Sequence, residues 1–183
     1  MKKSEITSTT SGETFDQHAN ILKCLADLPR RMMSLQNNNN VSEFVLHELC
    51  QDSCFNLTKA AFFVDSPDFN MLKGVVGFSK AESYLEPIWE DHAAFTQHME
   101  QSTFNQLVKD FAHNTIAAEE IDETKRSLTE IAQQFDFHAP AFHVWVMRHG
   151  NYGYLVYEHE HRLDELNEQL QSSLYLLSFC PLF

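Results

Sequence analysis

Residues 60–64 read Ala-Ala-Phe-Phe-Val, an apolar run into which no polar residue alternates. Successive side chains of a strand point to opposite faces, so a strand of this composition must be covered on both. Lys59 and Asp65 bound the run, Ser66-Pro67-Asp68 supplies a turn, and Met71-Leu-Lys-Gly-Val-Val-Gly-Phe-Ser79 follows as its partner. The two predict a strand pair at the centre of a sheet with helices packed around it.

The flanking sequence offers those helices. Ile21, Leu25, Leu28, Met32 and Leu35 recur at steps of four and three, a heptad-like seam, and Pro29 within it predicts two helical pieces on one face. Residues 37–40 are a run of asparagines, and Asn40 with Glu43 has the spacing of a capping box opening a helix through about Cys54, with Val41, Phe44, Val45 and Leu49 as its apolar side. Residues 82–113 read as helical, 115–118 as a short strand, and 123–137 as a helix with Leu128, Ile131 and Phe135 on one side. Ala141-Phe-His-Val-Trp-Val-Met-Arg-His149, a Gly150-Asn-Tyr-Gly153 turn and Tyr154-Leu-Val-Tyr-Glu-His159 predict a hairpin. Leu163, Leu166, Leu170, Leu174 and Leu177 then form a leucine stripe on a Glu- and Gln-rich background. The expected fold is α/β in the α+β sense: a central antiparallel sheet flanked by helices.

Composition narrows the function. The chain has 183 residues and 43% hydrophobic content, enough for one domain with its own core. With 26 acidic against 13 basic residues its formal charge is −13, which repels phosphate backbones and argues against direct nucleic-acid binding. No stretch approaches the roughly 18 apolar residues of a membrane span, and the start of the chain is polar where a secretory signal would be apolar. Cys24, Cys50, Cys54 and Cys180 form no paired CxxC knuckle and are read as free thiols of a cytoplasmic protein. Residues 1–14, rich in Ser and Thr, are expected as a flexible leader, 15–178 as the domain with its terminal helices, and 179–183 as a tail or truncation point.

Two stretches carry a family likeness. The sequence LCQDSCFNLTKAAFFVDSPDFNMLKGVVGFS over 49–79 and the run from NTIAAEE to SLYLLS over 114–178 follow a helix-to-hairpin step, then a short strand, a helix, a strand hairpin and a closing helix. This order resembles the GAF sensory domains, and the fold it implies is GAF/PAS-like. The resemblance covers about 15–178 and is one of pattern. It implies a regulatory role, with the terminal helices on one face of the sheet and a ligand pocket under the middle helices on the other. The Asn-Lys-x-x-Phe-Asp signature of cyclic-nucleotide members and the Cys-His pair of chromophore-binding members are both missing. No cofactor is therefore named.

Four constellations bear on chemistry. Met147-Arg148-His149-Gly150 copies the Arg-His-Gly of histidine phosphatases, but only about thirty residues follow to supply the second histidine and the phosphate-binding arginines, so a strand entering a Gly turn is the ordinary reading. Ten histidines, among them His92, His98, His138, His143, His159 and His161, show no HExxH or repeated HxxxH ligand spacing, and no metal is expected. Cys50 and Cys54, one helical turn apart, read as small buried thiols before they read as a redox pair. His143, Trp145 and Met147 share one strand face and are the candidate ligand-binding wall, the alternative being a core strand with a hydrogen-bonded histidine.

The terminal stripes suggest a homodimer interface through Leu25, Leu28, Met32, Leu163, Leu166, Leu170 and Leu177. The expected function is a small-molecule-sensing or protein-docking regulatory domain, not an enzyme, which signals through terminal-helix packing in a dimer. Its partners would be a small ligand, a protein partner or a fused output domain. The alternative is a His- or Cys-dependent enzyme on the same fold.

Overall fold

The computed structural model of the protein describes residues 10–35, 40–86, 91–116, 121–159 and 167–180. The run that opens the sequence argument becomes β1 (Leu57–Ser66), paired antiparallel with β2 (Met71–Ser79) on one side and β5 (Tyr152–His159) on the other. A two-residue β3 (Ala112–His113) extends the β2 edge, and β4 (Ala141–Val146) forms the opposite edge, so the open sheet has the order β3-β2-β1-β5-β4 with every pair antiparallel. The architecture is α+β.

Both faces of β1 are covered, as its composition demands. Ala60, Phe62 and Val64 join a core formed with α1 (Thr10–Ser34), α2 (Val41–Cys50), α3 (His92–Gln101) and α6 (Asn167–Leu174), while Ala61 and Phe63 face α4 (Thr103–Lys109) and α5 (Ile121–Gln134). All ten residues of α2 are buried, placing that helix at the centre of the first layer.

The second layer rests on two glycines. A Cβ on Gly74 would lie 1.8 Å from the Val108 carbonyl oxygen, and one on Gly77 would lie 2.8 Å from a Val108 methyl. Phe63 pairs with Gly74 and Ala61 with Gly77, and an irregularity that skips Val75 brings both glycines to the same face. Bare backbone there lets α4 sit directly on β2. Asn105 of α4 accepts from the Gly77 N–H at 3.0 Å, which satisfies a donor on β2 beyond the reach of the short β3.

Several expected boundaries move. α1 runs unbroken through Pro29, which is exposed, because the buried positions Ile21, Leu28, Met32 and Leu35 anchor both halves in the core. It begins at Thr10, inside the stretch expected as leader. No capping box forms: the Asn40 amide donates to Thr96 Oγ1 at 2.8 Å, and Glu43 is occupied by Asn105 and Lys109. α2 ends at Cys50, so Cys54 lies in the following turn. The 82–113 stretch divides at Ser102, which closes α3 and accepts the Asn105 N–H at the start of α4. The short strand falls at 112–113, and Thr115 and Ile116 instead bind the buried Asp65 carboxylate, at 2.5 and 3.2 Å. Met147 lies beyond the end of β4, and after α6 the chain tightens into a 3₁₀ turn, Tyr175–Phe179.

Candidate functional site

Under α4 and α5, where the family resemblance implies a pocket, the space is filled by aromatic rings. Phe63 meets Phe111 and Phe135 at centroid distances of 5.4 and 5.6 Å, and Phe104 meets Phe135 and Phe137 at 6.3 and 6.1 Å. Lys59 closes the edge of this cluster. Its ammonium donates to the carbonyls of Phe135 and Asp136 at 2.6 and 2.9 Å, at the C-terminal end of α5, and lies over the Phe104 and Phe137 rings.

The three residues expected as a ligand wall do share a face, the one turned toward the terminal helices. Trp145 stacks on Phe62 at 5.4 Å, and its indole N–H donates to Ser178 Oγ at 2.8 Å. Its ring lies over Gly153 of β5, where a Cβ would come within 2.5 Å of it. Met147 is buried in the same core, and the half-buried His143 ring stacks beside Trp145 at 5.7 Å, its pKa lowered by burial. None of the three lines the cleft described below. Of the expected dimer seam, Leu28, Met32, Leu170 and Leu177 are buried in the chain's own core and Leu25 is packed against it; Leu163 and Leu166 lie outside the described residues.

A polar cleft of about 510 Å³ opens between α1 and the C-terminal end of α2. The α1 wall is Asn20, Lys23, Cys24, Asp27 and Arg31, whose spacing places them beside the apolar stripe of the same helix. Facing them are His47 and Glu48 of α2, the 51–53 turn and residues 84–86. Arg31 and Glu48 pair at 2.8 Å across the two helices; burial raises the Glu48 carboxyl's pKa, and the guanidinium opposes that rise.

His47 forms the inner part of this wall. The Tyr84 N–H donates to its Nε2 at 3.1 Å, and the ring meets Phe78 and Phe95 edge-on at 5.5 and 5.3 Å. Burial, with His98 nearby, lowers its pKa to about 4, so the ring is neutral at pH 7. Cys24 is half-buried on α1, and Cys54, in the turn after α2, is buried. Interaction with Cys54 lowers the Cys24 thiol's pKa, and burial with the same interaction raises that of Cys54.

The chain matches no protein-family model, curated protein or solved structure. Chemistry has to be argued from the side chains. Among the described residues, no three or more His, Cys, Asp or Glu side chains converge as a metal site. The His98 ring is spent on the Glu82 carbonyl at 2.6 Å. His161 and the His149 side chain lie outside the described residues, and Arg148 lies over the Phe179 ring at 5.3 Å. Among the described residues, no helix is long and apolar enough to cross a membrane.

Sequence reasoning missed the cleft. Its one sequence signal is the polar row 20, 24, 27 and 31 running alongside the apolar seam.

Proposed function

We propose that this chain is a regulatory docking domain, GAF-like in arrangement, that acts through the layer formed by its terminal helices and does so as a homodimer. The aromatic filling beneath α4 and α5 carries the reading. Rings from β1, α4 and the segments bounding α5 occupy the volume in which a sensing domain of this arrangement would hold its ligand. The opposite layer retains exposed apolar side chains: Leu22 and Met33 on α1, at 62% and 63% exposure, and Tyr175 and Phe179 in the C-terminal turn. Leu22 and Met33 are eleven residues apart, about three helical turns, and so project from one side of α1. A second copy of the chain would bury that side.

One observation favours a second reading, in which a small charged molecule binds in the α1–α2 cleft. Its walls present both signs of charge, and α1 supplies one of them, so occupancy would bear directly on a terminal helix.

Native mass spectrometry with light scattering decides between the two. Docking predicts a dimer mass without a retained small molecule, and conversion to monomer by Leu22→Glu with Met33→Glu at unchanged circular dichroism. A monomeric wild type removes the homodimer, and a stoichiometric small-molecule adduct transfers the function to the cleft.

A further inference from the structure

Two histidines from different helices hold one short segment. After β2 the chain makes a tight turn, Lys80–Glu82, and runs on through Tyr84, Leu85 and Glu86, which line the α1–α2 cleft. The His98 ring of α3 donates to the Glu82 carbonyl at 2.6 Å, and the Tyr84 N–H donates to His47 Nε2 of α2 at 3.1 Å. The Glu82 carboxylate accepts from Ser102 Oγ and the Phe104 N–H, and Lys80 reaches Asn56 and Asp52, both at 2.8 Å. The Tyr84 ring packs edge-on to Phe95, which is 1% exposed, and beside His98, at 5.7 and 5.3 Å.

The two imidazoles answer acid differently. A carbonyl only accepts, so His98 Nε2 carries a proton in its bond to Glu82, and that bond survives whether the ring is neutral or cationic. A backbone N–H only donates, so His47 Nε2 must be bare. Protonating His47 sets two donors against each other and leaves a charge against the rings of Phe78 and Phe95.

We propose that segment 80–86 is an acid-released strap: protonation of His47 frees Tyr84 from α2 and opens that wall of the cleft, while Lys80 and His98 keep the base of the segment in place. The strap stands apart from the docking reading and needs no occupant in the cleft. Lys23, Asp27 and Arg31 of α1, Glu48 of α2, Asp52 of the following turn and Glu86 of the strap line the cleft with His47, and Glu82 and His98 meet at the strap's base. Arg31 is paired with Glu48, and Lys80 with Asp52. Burial and His98 oppose a charge on His47, which keeps the strap closed at neutral pH.

Residue-resolved amide exchange of the intact chain, corrected for the intrinsic pH dependence of exchange, tests the proposal. Protection of the Tyr84 amide should fall roughly twentyfold between pH 7 and pH 5, the change expected when a group with a folded pKa of about 4 regains its ordinary 6.5 on opening. Low urea should leave Tyr84 exchange at pH 5 unchanged, the mark of a local opening, while speeding exchange of Phe62 in the central strand. In long-range proton–nitrogen NMR spectra at pH 7 the His47 proton should sit on Nδ1. His47→Gln, whose side-chain carbonyl can accept from Tyr84 at any pH, should hold Tyr84 protection level across the range. Equal acid loss in that variant assigns the release to another group, Glu82 foremost, and overturns the proposal. So does a His47 proton on Nε2, or Tyr84 exchange that tracks Phe62 in urea, which is global unfolding.

Discussion

Gly74 shows how little room one position can have. Its φ is not in the left-handed region; what excludes a side chain is the Val108 carbonyl, 1.8 Å from where a Cβ would stand. Because that obstacle is backbone, Gly74→Ala must lift α4 off β2. The atoms nearest a Cβ on Gly153 belong to the Trp145 ring, a side chain and not backbone. Overpacking of this kind costs on the order of 1–3 kcal/mol, so Gly74→Ala should lower the urea midpoint clearly and Gly153→Ala less. Equal midpoints for the two would mean that α4 yields as readily as an indole. The sequence around the β2 glycines carries no sign of this, since the helix that needs them arrives from residues 103–109.

Terminal helices are held by their own chain before they are available to anything else. Leu170 is 1% exposed and Leu22 is 62% exposed. Burying a leucine side chain contributes about 1.5–3 kcal/mol, and a glutamate in its place adds an unpaired carboxylate. Leu170→Glu should therefore cost about 3 kcal/mol or more and loosen α6 from the sheet, seen as lost thermal stability. Leu22→Glu should change monomer stability by less than about 0.5 kcal/mol. If Leu170→Glu keeps its melting temperature and only halves the mass, the helix belongs to an interface after all. The periodic leucines were legible in sequence, but an amphipathic stripe carries the same spacing whether it meets a sheet or a second chain.

Across the molecule, buried ionisable groups make stability depend on pH. His47 has a folded pKa of about 4 against an ordinary value of 6.5. Below pH 6.5 the unfolded chain takes a proton that the folded chain refuses until about pH 4, so stability is lost across that window as pH falls. The loss is on the order of 3 kcal/mol by pH 4. Asp65 and Glu48, whose carboxyl pKa values burial raises, act in the opposite sense, because the folded state gains their protons first. Urea melts of wild type and His47→Gln between pH 7 and 4 should separate these effects, the variant losing less stability on acidification. Parallel pH profiles would mean that His47 titrates alike in both states.

By itself the sequence determined the α+β class, the strand pair, the late hairpin and the apolar side of each long helix. Those features are encoded by residues two to four positions apart, and local spacing is enough to reveal them. Only the tertiary structure decided that Pro29 sits within one continuous helix and that Asn40 and Glu43 reach for α3 and α4 instead of capping α2. It also decided that five phenylalanines close the face under the middle helices while the accessible polar cleft opens beside α1. Each of these rests on contacts between residues far apart in the chain, where the competing local preference is worth about a kilocalorie and packing outweighs it.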